Sequence, residues 1–184
     1  STQAWSFVIE DESLLKGIPE RQKQQFKSTA ESKNLKGWLL TLDAPSFMGV
    51  MQFANDRSLR EKIYRAYVTR ASEFSDSQYD NGSVMVDILN LRKSKAQLLG
   101  FDHYAGYSLA TKMANSTTEV IDLIDELVSK TRPQAILEFQ KLSEFAKKEG
   151  QKSALKPWDV AYWSEKLRQR DYQLDSEALR VYFP

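Results

Sequence analysis

The sequence contains no cysteine and only one histidine among its 184 residues. The absence of cysteine excludes disulfides, thiolate metal sites and cysteine nucleophiles. The single histidine, His103, cannot supply the two imidazoles that a typical zinc hydrolase site needs. No apolar run approaches the roughly 20 residues that a membrane-spanning helix requires. We therefore expect no transmembrane helix and no metal site built from this sequence alone.

Neither sign of charge dominates the chain. The sequence has 26 basic and 25 acidic residues, so its formal net charge is +1. A balance of this kind provides no long-range field that would attract nucleic acid or an anionic membrane, and we predict neither as a partner. Hydrophobic residues make up 41% and aromatic residues 11% of the chain, which is enough to build a core. We expect a single helical domain over residues 1–184.

Helical patterns dominate the sequence, and they predict an all-α fold with seven or eight helices. Asp56 is a good N-cap for a helix that begins at the next residue, and the spacing of Ser116 and Glu119 forms a capping box. Proline costs little at a first helical position, so Pro157 predicts another helix start. The short apolar runs 5–9 and 38–42 allow at most one strand pair.

Two further helical predictions depend on less regular patterns. Pro133 lies inside a continuing apolar repeat, where its missing N–H predicts a kink or a short break. A last short helix is predicted over residues 175–181. Basic residues crowd the helix after Asp56, and we interpret them as a solvated face with partners one turn away. These residues are Arg57, Arg60, Lys62 and Arg65.

Few residues offer catalytic chemistry. His103 has two interpretations, a surface or capping residue and a general acid/base. No G-x-S-x-G elbow and no phosphate-binding glycine loop occurs. Aromatic side chains cluster near the C-terminus, and they are interpreted either as core or as the wall of a groove that grips extended peptides. The cluster consists of Trp158, Tyr162, Trp163, Tyr172, Tyr182 and Phe183.

Several stretches, in order along nearly the whole chain, resemble the thimet oligopeptidase/oligopeptidase A family of zinc metallopeptidases. They read GWLLTLDAPSF, LREKIYRAYVTRA, AQLLGF followed by YA and SLATKMA, PWDVAYWSEK and LRVYFP. They occupy residues 37–47, 59–71, 96–114, 157–166 and 179–184. The stretches are most similar to bacterial members of the family. All of them precede the zinc motif of that family.

The resemblance implies a larger, mainly helical, two-lobed zincin-type peptidase that cuts short peptides in a deep channel. Its zinc is implied to lie in an H-E-x-x-H helix with a later glutamate, and this sequence has no such motif. We therefore assign no catalytic and no metal residue, and we expect zinc only in the full-length parent. Trp158, Asp159 and Tyr162 are candidate substrate-groove residues, although core packing fits each of them better. A cytoplasmic location is expected.

Three functions follow as competing hypotheses. The first is a non-catalytic scaffold and channel-wall segment of an oligopeptidase, which has the remainder of the parent polypeptide as its partner and short peptides as substrates of the full-length enzyme. The second is a stand-alone helical module that binds a peptide or protein. The third is a metal-independent enzyme that uses His103. If the chain is an excised segment, apolar faces are left uncovered, and we expect an exposed apolar patch with possible dimerisation through it.

Overall fold

The computed structural model describes residues 2–173. Within this range the all-α prediction is confirmed, with seven α-helices and one two-stranded antiparallel sheet. The elements are β1 (Ser6–Ile9), α1 (Glu20–Ser32), β2 (Trp38–Thr41), α2 (Ala44–Phe53), α3 (Arg57–Val68), α4 (Gly82–Leu98), α5 (Tyr104–Leu109), α6 (Thr117–Lys148) and α7 (Pro157–Tyr172). Two short 3-10 helices, Glu12–Leu15 and Ser77–Tyr79, lie between these elements. The helix predicted over residues 175–181 lies outside the described residues.

The chain divides into two compact units. Among the described residues, the first unit comprises 2–79 and 141–173, and the second comprises Asp80–Gln140. The two units are distinguished by how densely their residues contact one another, and compact packing does not show whether each unit folds alone. The single domain over residues 1–184 therefore remains a prediction. None of the helices among residues 2–173 is long and apolar enough to cross a membrane.

The first unit is organised around the β1–β2 pair. The strands run antiparallel, with Ser6 opposite Thr41 and Ile9 opposite Trp38. One apolar core joins this pair to α1, α2, α3 and the start of α7, and it excludes water from about a dozen side chains, which is the main stabilising contribution. Its buried members are Ile9, Leu15, Ile18, Phe26, Leu40, Leu42, Val50, Met51, Ala54, Leu59, Ile63 and Trp158.

Local capping explains where α2 and α3 begin. The Asp43 carboxylate accepts a hydrogen bond of 3.1 Å from the Ser46 backbone N–H. The Asp56 carboxylate accepts one of 2.7 Å from the backbone N–H of Leu59, which confirms the predicted N-cap. Each cap satisfies a donor that has no partner inside its helix. The Asp56 cap fixes the start of α3, which carries Arg57 and Arg60.

The second unit contains α4, α5 and most of α6. The Ser116 hydroxyl accepts a hydrogen bond from the Glu119 backbone N–H at 3.1 Å, as the capping box predicts, whereas the Glu119 carboxylate accepts from Asn115. α6 continues without interruption through Pro133, so of the predicted kink or short break the break is absent. A helix of 32 residues tolerates the loss of the one backbone hydrogen bond that a proline removes.

Gly37 stands just before β2 in a conformation that a side chain would disturb. Its φ is +89°, and a Cβ there would lie 2.2 Å from the backbone oxygen of Ile9. Gly37→Ala is expected to lower the free energy of unfolding by about 2–3 kcal/mol, because the clash forces the strand pair apart and adds to the left-handed strain. Urea unfolding monitored by circular dichroism measures this loss.

Gly150 provides the matched control for the Gly37 variant. It has a φ of +99°, but no atom lies within 4 Å of its added Cβ. Gly150→Ala therefore carries backbone strain alone and is expected to cost only about 1 kcal/mol. Equal losses for the two variants would show that close packing against Ile9 plays no part.

Candidate functional site

The start of α7 places a carboxylate in the interior of the first unit. Pro157 occupies the first helical position, where its missing N–H has no partner to lose. Asp159 follows two residues later and is fully buried. Its carboxylate accepts a hydrogen bond of 3.0 Å from the Lys156 backbone N–H. The same carboxylate is thus an N-terminal cap and a buried negative charge.

Two arginines of α3 neutralise the Asp159 charge. The Arg57 Nε lies 3.0 Å from Asp159 Oδ1, and its Nη2 lies 2.8 Å from Oδ2. The Arg60 Nη2 donates to Oδ1 at 3.0 Å. Charge-assisted, two-pronged contacts of this kind are the strongest hydrogen bonds that side chains make. Asp159 therefore ties α7 to α3 through both of its oxygens.

Arg60 is buried, which corrects the prediction that it lies on a solvated face. Only 2% of its surface is exposed. Beyond Asp159, its guanidinium donates to the backbone oxygens of Trp158 at 3.2 Å, Ala54 at 2.7 Å and Asn55 at 3.3 Å. The burial is tolerated because a carboxylate and three carbonyl oxygens replace the water that the charge loses.

The other members of the basic run behave differently. Arg65 pairs with Glu61 one helical turn earlier, at 2.8 Å, as the solvated-face interpretation predicts. Lys62 lies over the ring of Phe7, with its Nζ 3.3 Å from the ring centroid. Of the four basic residues, Arg65 has the predicted partner one turn away, whereas Arg57 and Arg60 bind Asp159 and Lys62 contacts Phe7.

The electrostatics of the cluster hold Asp159 ionised. Burial by itself raises the pKa of the carboxyl, but the hydrogen bonds from Arg57, the Lys156 backbone and Arg60 outweigh it and lower the pKa. The hydrogen bond to Asp159 also raises the pKa of Arg57. With both oxygens occupied and no solvent contact, Asp159 is suited to holding helices together and unsuited to accepting a proton from a substrate.

The lowered pKa predicts a pH-dependent loss of stability. The Asp159 pKa in the folded chain lies below its unfolded value of about 3.9, so the unfolded chain binds more protons as the pH falls. The stabilisation is complete above the unfolded pKa and is lost as the pH falls through the folded pKa. Urea midpoints measured between about pH 6 and pH 3 should fall more steeply for the wild type than for Asp159→Asn. Parallel slopes would contradict this.

Aromatic rings surround the ion cluster. Trp158 is buried and packs against Tyr64, with the ring centroids 5.9 Å apart. The Arg60 guanidinium lies 4.1 Å from the ring centroid of Tyr162, whose hydroxyl donates to Asn55 Oδ1 at 3.0 Å. Burial raises the pKa of Tyr162, and the positive charge of Arg60 opposes the rise. The cation–ring contact partly compensates the guanidinium for its burial.

A surface cavity of about 370 Å³ lies beside this cluster. Trp163 is itself mostly buried, and its ring meets that of Phe145 edge to face at 5.9 Å. The cavity thus combines aromatic faces with two cations and one carboxylate, a mixture suited to an extended peptide. Its lining residues are Asn55, Phe145, Glu149, Tyr162, Trp163, Lys166 and Arg170.

His103 takes the capping role among its two interpretations. It is the N-cap of α5, and its Nδ1 accepts a hydrogen bond of 3.0 Å from the Gly106 backbone N–H. The side chain is exposed. Its position is explained by the helix start, so the structure provides no separate support for an acid/base role.

Comparisons with known proteins identify the family. A family model described as peptidase family M3 matches residues 50–184. This chain belongs to peptidase family M3. It is 46% identical over 186 residues to oligopeptidase A of Escherichia coli, a match that covers 100% of this chain and 27% of the relative.

Two eukaryotic proteins show the same partial coverage. The match to "Probable cytosolic oligopeptidase A" of Arabidopsis thaliana is 40% identical and covers 100% of this chain and 27% of the relative. The match to saccharolysin of Saccharomyces cerevisiae is 29% identical and covers 97% of this chain and 25% of the relative. The chain therefore spans about a quarter of the length of these M3 relatives.

The residues of this M3 chain do not fit a catalytic zinc ion. The sequence provides one histidine and no cysteine. Between residues 2 and 173, no group of three or more histidine, aspartate or glutamate side chains is placed to hold a metal. Asp159, the most deeply buried carboxylate of the site, already has its oxygens bound to arginines.

The three predicted groove residues of this M3 chain occupy different depths. Asp159 and Trp158 are buried, which agrees with the core-packing interpretation of each residue. Tyr162 is half-buried and lines the cavity. Substrate contact by these residues stays a prediction. Of the aromatic cluster, Tyr172 is 71% exposed, while Tyr182 and Phe183 lie outside the described residues.

Sequence reasoning missed Arg60, although a signal was present. Arg60 precedes Tyr64 by one helical turn, so it lies on the flank of the helix that faces the core rather than on the solvated side. A charged residue on such a flank indicates a buried partner. Nothing in the sequence identifies that partner as Asp159, which is 99 residues away.

Proposed function

We propose that this chain is a non-catalytic helical portion of a zinc-dependent oligopeptidase that hydrolyses short peptides, and that it provides scaffold and part of the substrate-channel wall. The observation that carries the proposal is the 46% identity to oligopeptidase A, which extends over the whole of this chain but over 27% of the relative. A match that covers all of this chain and about a quarter of the relative fits a segment of such an enzyme.

The geometry of the site favours a structural role over a catalytic one. Asp159, Arg57 and Arg60 satisfy one another across α3 and α7, and the bonds leave no free base or nucleophile in the cluster. The cavity beside Tyr162 is open to solvent and has aromatic walls with Lys166 and Arg170 nearby. Such a surface binds an extended peptide by contact with ring faces, and the cations favour a peptide carboxylate.

The remaining components are assigned to the rest of the polypeptide. Zinc, with the activated water that attacks the peptide bond, belongs to a portion that carries the histidine motif. The partner of this chain is that remainder, and short peptides are the substrates of the assembled enzyme. We place the enzyme in the cytoplasm, because a relative of similar identity carries the word cytosolic in its name.

A stand-alone peptide- or protein-binding module is the second candidate. The aromatic and cationic cavity favours it, since binding by that surface requires no catalytic group. The two functions differ in one measurable respect. A stand-alone module binds peptide as an isolated chain, and Tyr162→Ala removes the binding. A scaffold segment contributes to peptide affinity only after assembly with the catalytic portion.

A chimera tests the proposal. The matching stretch of the Escherichia coli enzyme is replaced by this chain, and cleavage of a fluorogenic short peptide is measured with zinc and with chelator. The proposal predicts chelator-sensitive cleavage within about tenfold of the parent enzyme. The E. coli enzyme with the stretch deleted is the control and is expected to be inactive. A folded chimera without activity would contradict the proposal.

A further inference from the structure

The second unit, Asp80–Gln140, buries almost nothing. Of its residues, Ala96 alone is classed as buried. Within this unit α4 packs against α5, where Arg92 lies over Tyr104 and Lys95 over Tyr107, each at 5.1 Å. Apolar burial is the main favourable contribution to folding, so this unit has little to offset the entropy that its helices lose.

The uncovered apolar residues surround most of the first half of α4, whereas its second half carries Arg92, Lys93 and Lys95 on the same sides. At about 100° per residue, they occupy roughly two-thirds of the helix circumference. Their exposed fractions run from 42% for Ile88 to 86% for Leu98. A helix that is apolar on most sides is one that other helices enclose. The residues are Val84, Met85, Val86, Ile88, Leu89, Leu91 and Leu98.

The first half of α6 has a narrower apolar face. Leu123, Ile124, Leu127 and Val128 share one side of the helix, and each is about half exposed. Asp122, Asp125 and Glu126 lie on the opposite side. One-sided patterning indicates a helix with one face covered and the other in water. α4 and α6 thus have different requirements, enclosure for α4 and a single contact face for α6.

We infer that the apolar surface of α4, together with the apolar face of α6, is covered by further helices of the same larger peptidase, and that the first half of α4 is an interior segment of the assembled enzyme. This inference rests on the proposed function. The occupant is indicated by length, because the greater part of the M3 relative lies outside the stretch that this chain matches. That remainder is long enough to supply several covering helices.

A second copy of this chain fits the surface less well. A two-fold interface brings one self-complementary patch against itself and covers one side of a helix. It leaves the remaining apolar sides of α4 in water. Covering by the same polypeptide also supplies the apolar partner without a loss of translational freedom. The experiment must therefore distinguish dimerisation through this surface from covering by the rest of the enzyme.

Hydrogen exchange measured by mass spectrometry tests the inference on the isolated chain and on the E. coli chimera. In the isolated chain, amides of residues 82–98 should exchange at least ~10-fold faster than those of residues 57–68, which belong to the first unit. In the chimera, exchange over residues 82–98 should slow by at least ~10-fold, while residues 57–68 change little. Co-expression of this chain with the rest of the E. coli enzyme as a separate chain serves if the chimera does not fold.

The outcomes separate the two proposals. Fast exchange in the isolated chain with slow exchange in the assembled form supports covering by the larger enzyme, whether or not that form cleaves peptide. Slow exchange over residues 82–98 in an isolated monomer overturns it. Concentration-dependent protection with a dimeric mass overturns it in favour of a second copy. An active chimera with unprotected residues 82–98 also overturns it and leaves the proposed function standing.

Discussion

Replacing Asp159 by asparagine is expected to lower the free energy of unfolding by about 3–5 kcal/mol. The change removes the negative charge that Arg57 and Arg60 share, while Arg60 stays 98% buried with no anion beside it. A buried guanidinium without its carboxylate keeps the cost of leaving water and loses the attraction that offset it. The amide also accepts fewer of the donors that now converge on the site.

Equilibrium urea unfolding of the wild type and the variant measures this loss. Glu61→Gln is the matched control, because it removes the Glu61–Arg65 pair from the exposed side of the same helix. It is expected to cost no more than about 0.5 kcal/mol. A double variant, Arg60→Met with Asp159→Leu, should recover part of the loss, since neither charge then remains buried. An Asp159→Asn variant as stable as the control would refute the buried-anchor account.

Phe26→Ala is expected to destabilise the chain by about 3–5 kcal/mol. Phe26 is 2% exposed and belongs to the core that joins α1 to the strand pair. The smaller side chain forfeits the transfer free energy of the ring and leaves a cavity that tightly packed neighbours fill only in part. The loss should appear in urea unfolding as a lower midpoint with an unchanged slope.

Leu89→Ala provides the contrast to the Phe26 variant. Leu89 is 64% exposed on α4, so its truncation in the isolated chain is expected to change stability by no more than about 0.5 kcal/mol. The same substitution in the chimera should be costly if α4 becomes enclosed. Similar losses for Phe26→Ala and Leu89→Ala in the isolated chain would show that the second unit carries a core of its own.

The local elements could be predicted because their signals are local. Asp56 caps α3 through a backbone donor three residues away, and Ser116 caps the start of α6 in the same manner. The strand pair followed from two apolar runs of strand-forming residues. Pro133 does not break α6, because a long helix has many hydrogen bonds on either side of the one that proline removes. A kink at Pro133, the other predicted outcome, stays a prediction.

The site could be predicted only in part, because its contacts are non-local. The Tyr162 hydroxyl meets Asn55, which is 107 residues away, and no periodicity specifies such a pair. The helical position of Arg60 beside Tyr64 was a weak sequence signal for its burial. No sequence signal identified Asp159 as its partner. The family resemblance indicated the stretch that contains Trp158, Asp159 and Tyr162 without indicating their depth.

The division of the chain into two units could not be predicted from the sequence either. Apolar residues on α4 and α6 predict burial, and the pattern cannot say whether the covering partner belongs to this chain. The structure finds them largely exposed, in agreement with the expected apolar patch. Dimerisation through that patch stays a prediction. The difference between the two units is set by what packs against each helix, which is a tertiary property.

The most direct measurement is a peptidase assay on the purified 184-residue chain, combined with its zinc content. The chain is incubated with a fluorogenic short peptide and added zinc, with chelator in a parallel sample. A non-catalytic segment predicts sub-stoichiometric zinc and no cleavage above the buffer rate in either sample. One tightly bound zinc per chain, together with cleavage that the chelator abolishes, would contradict it.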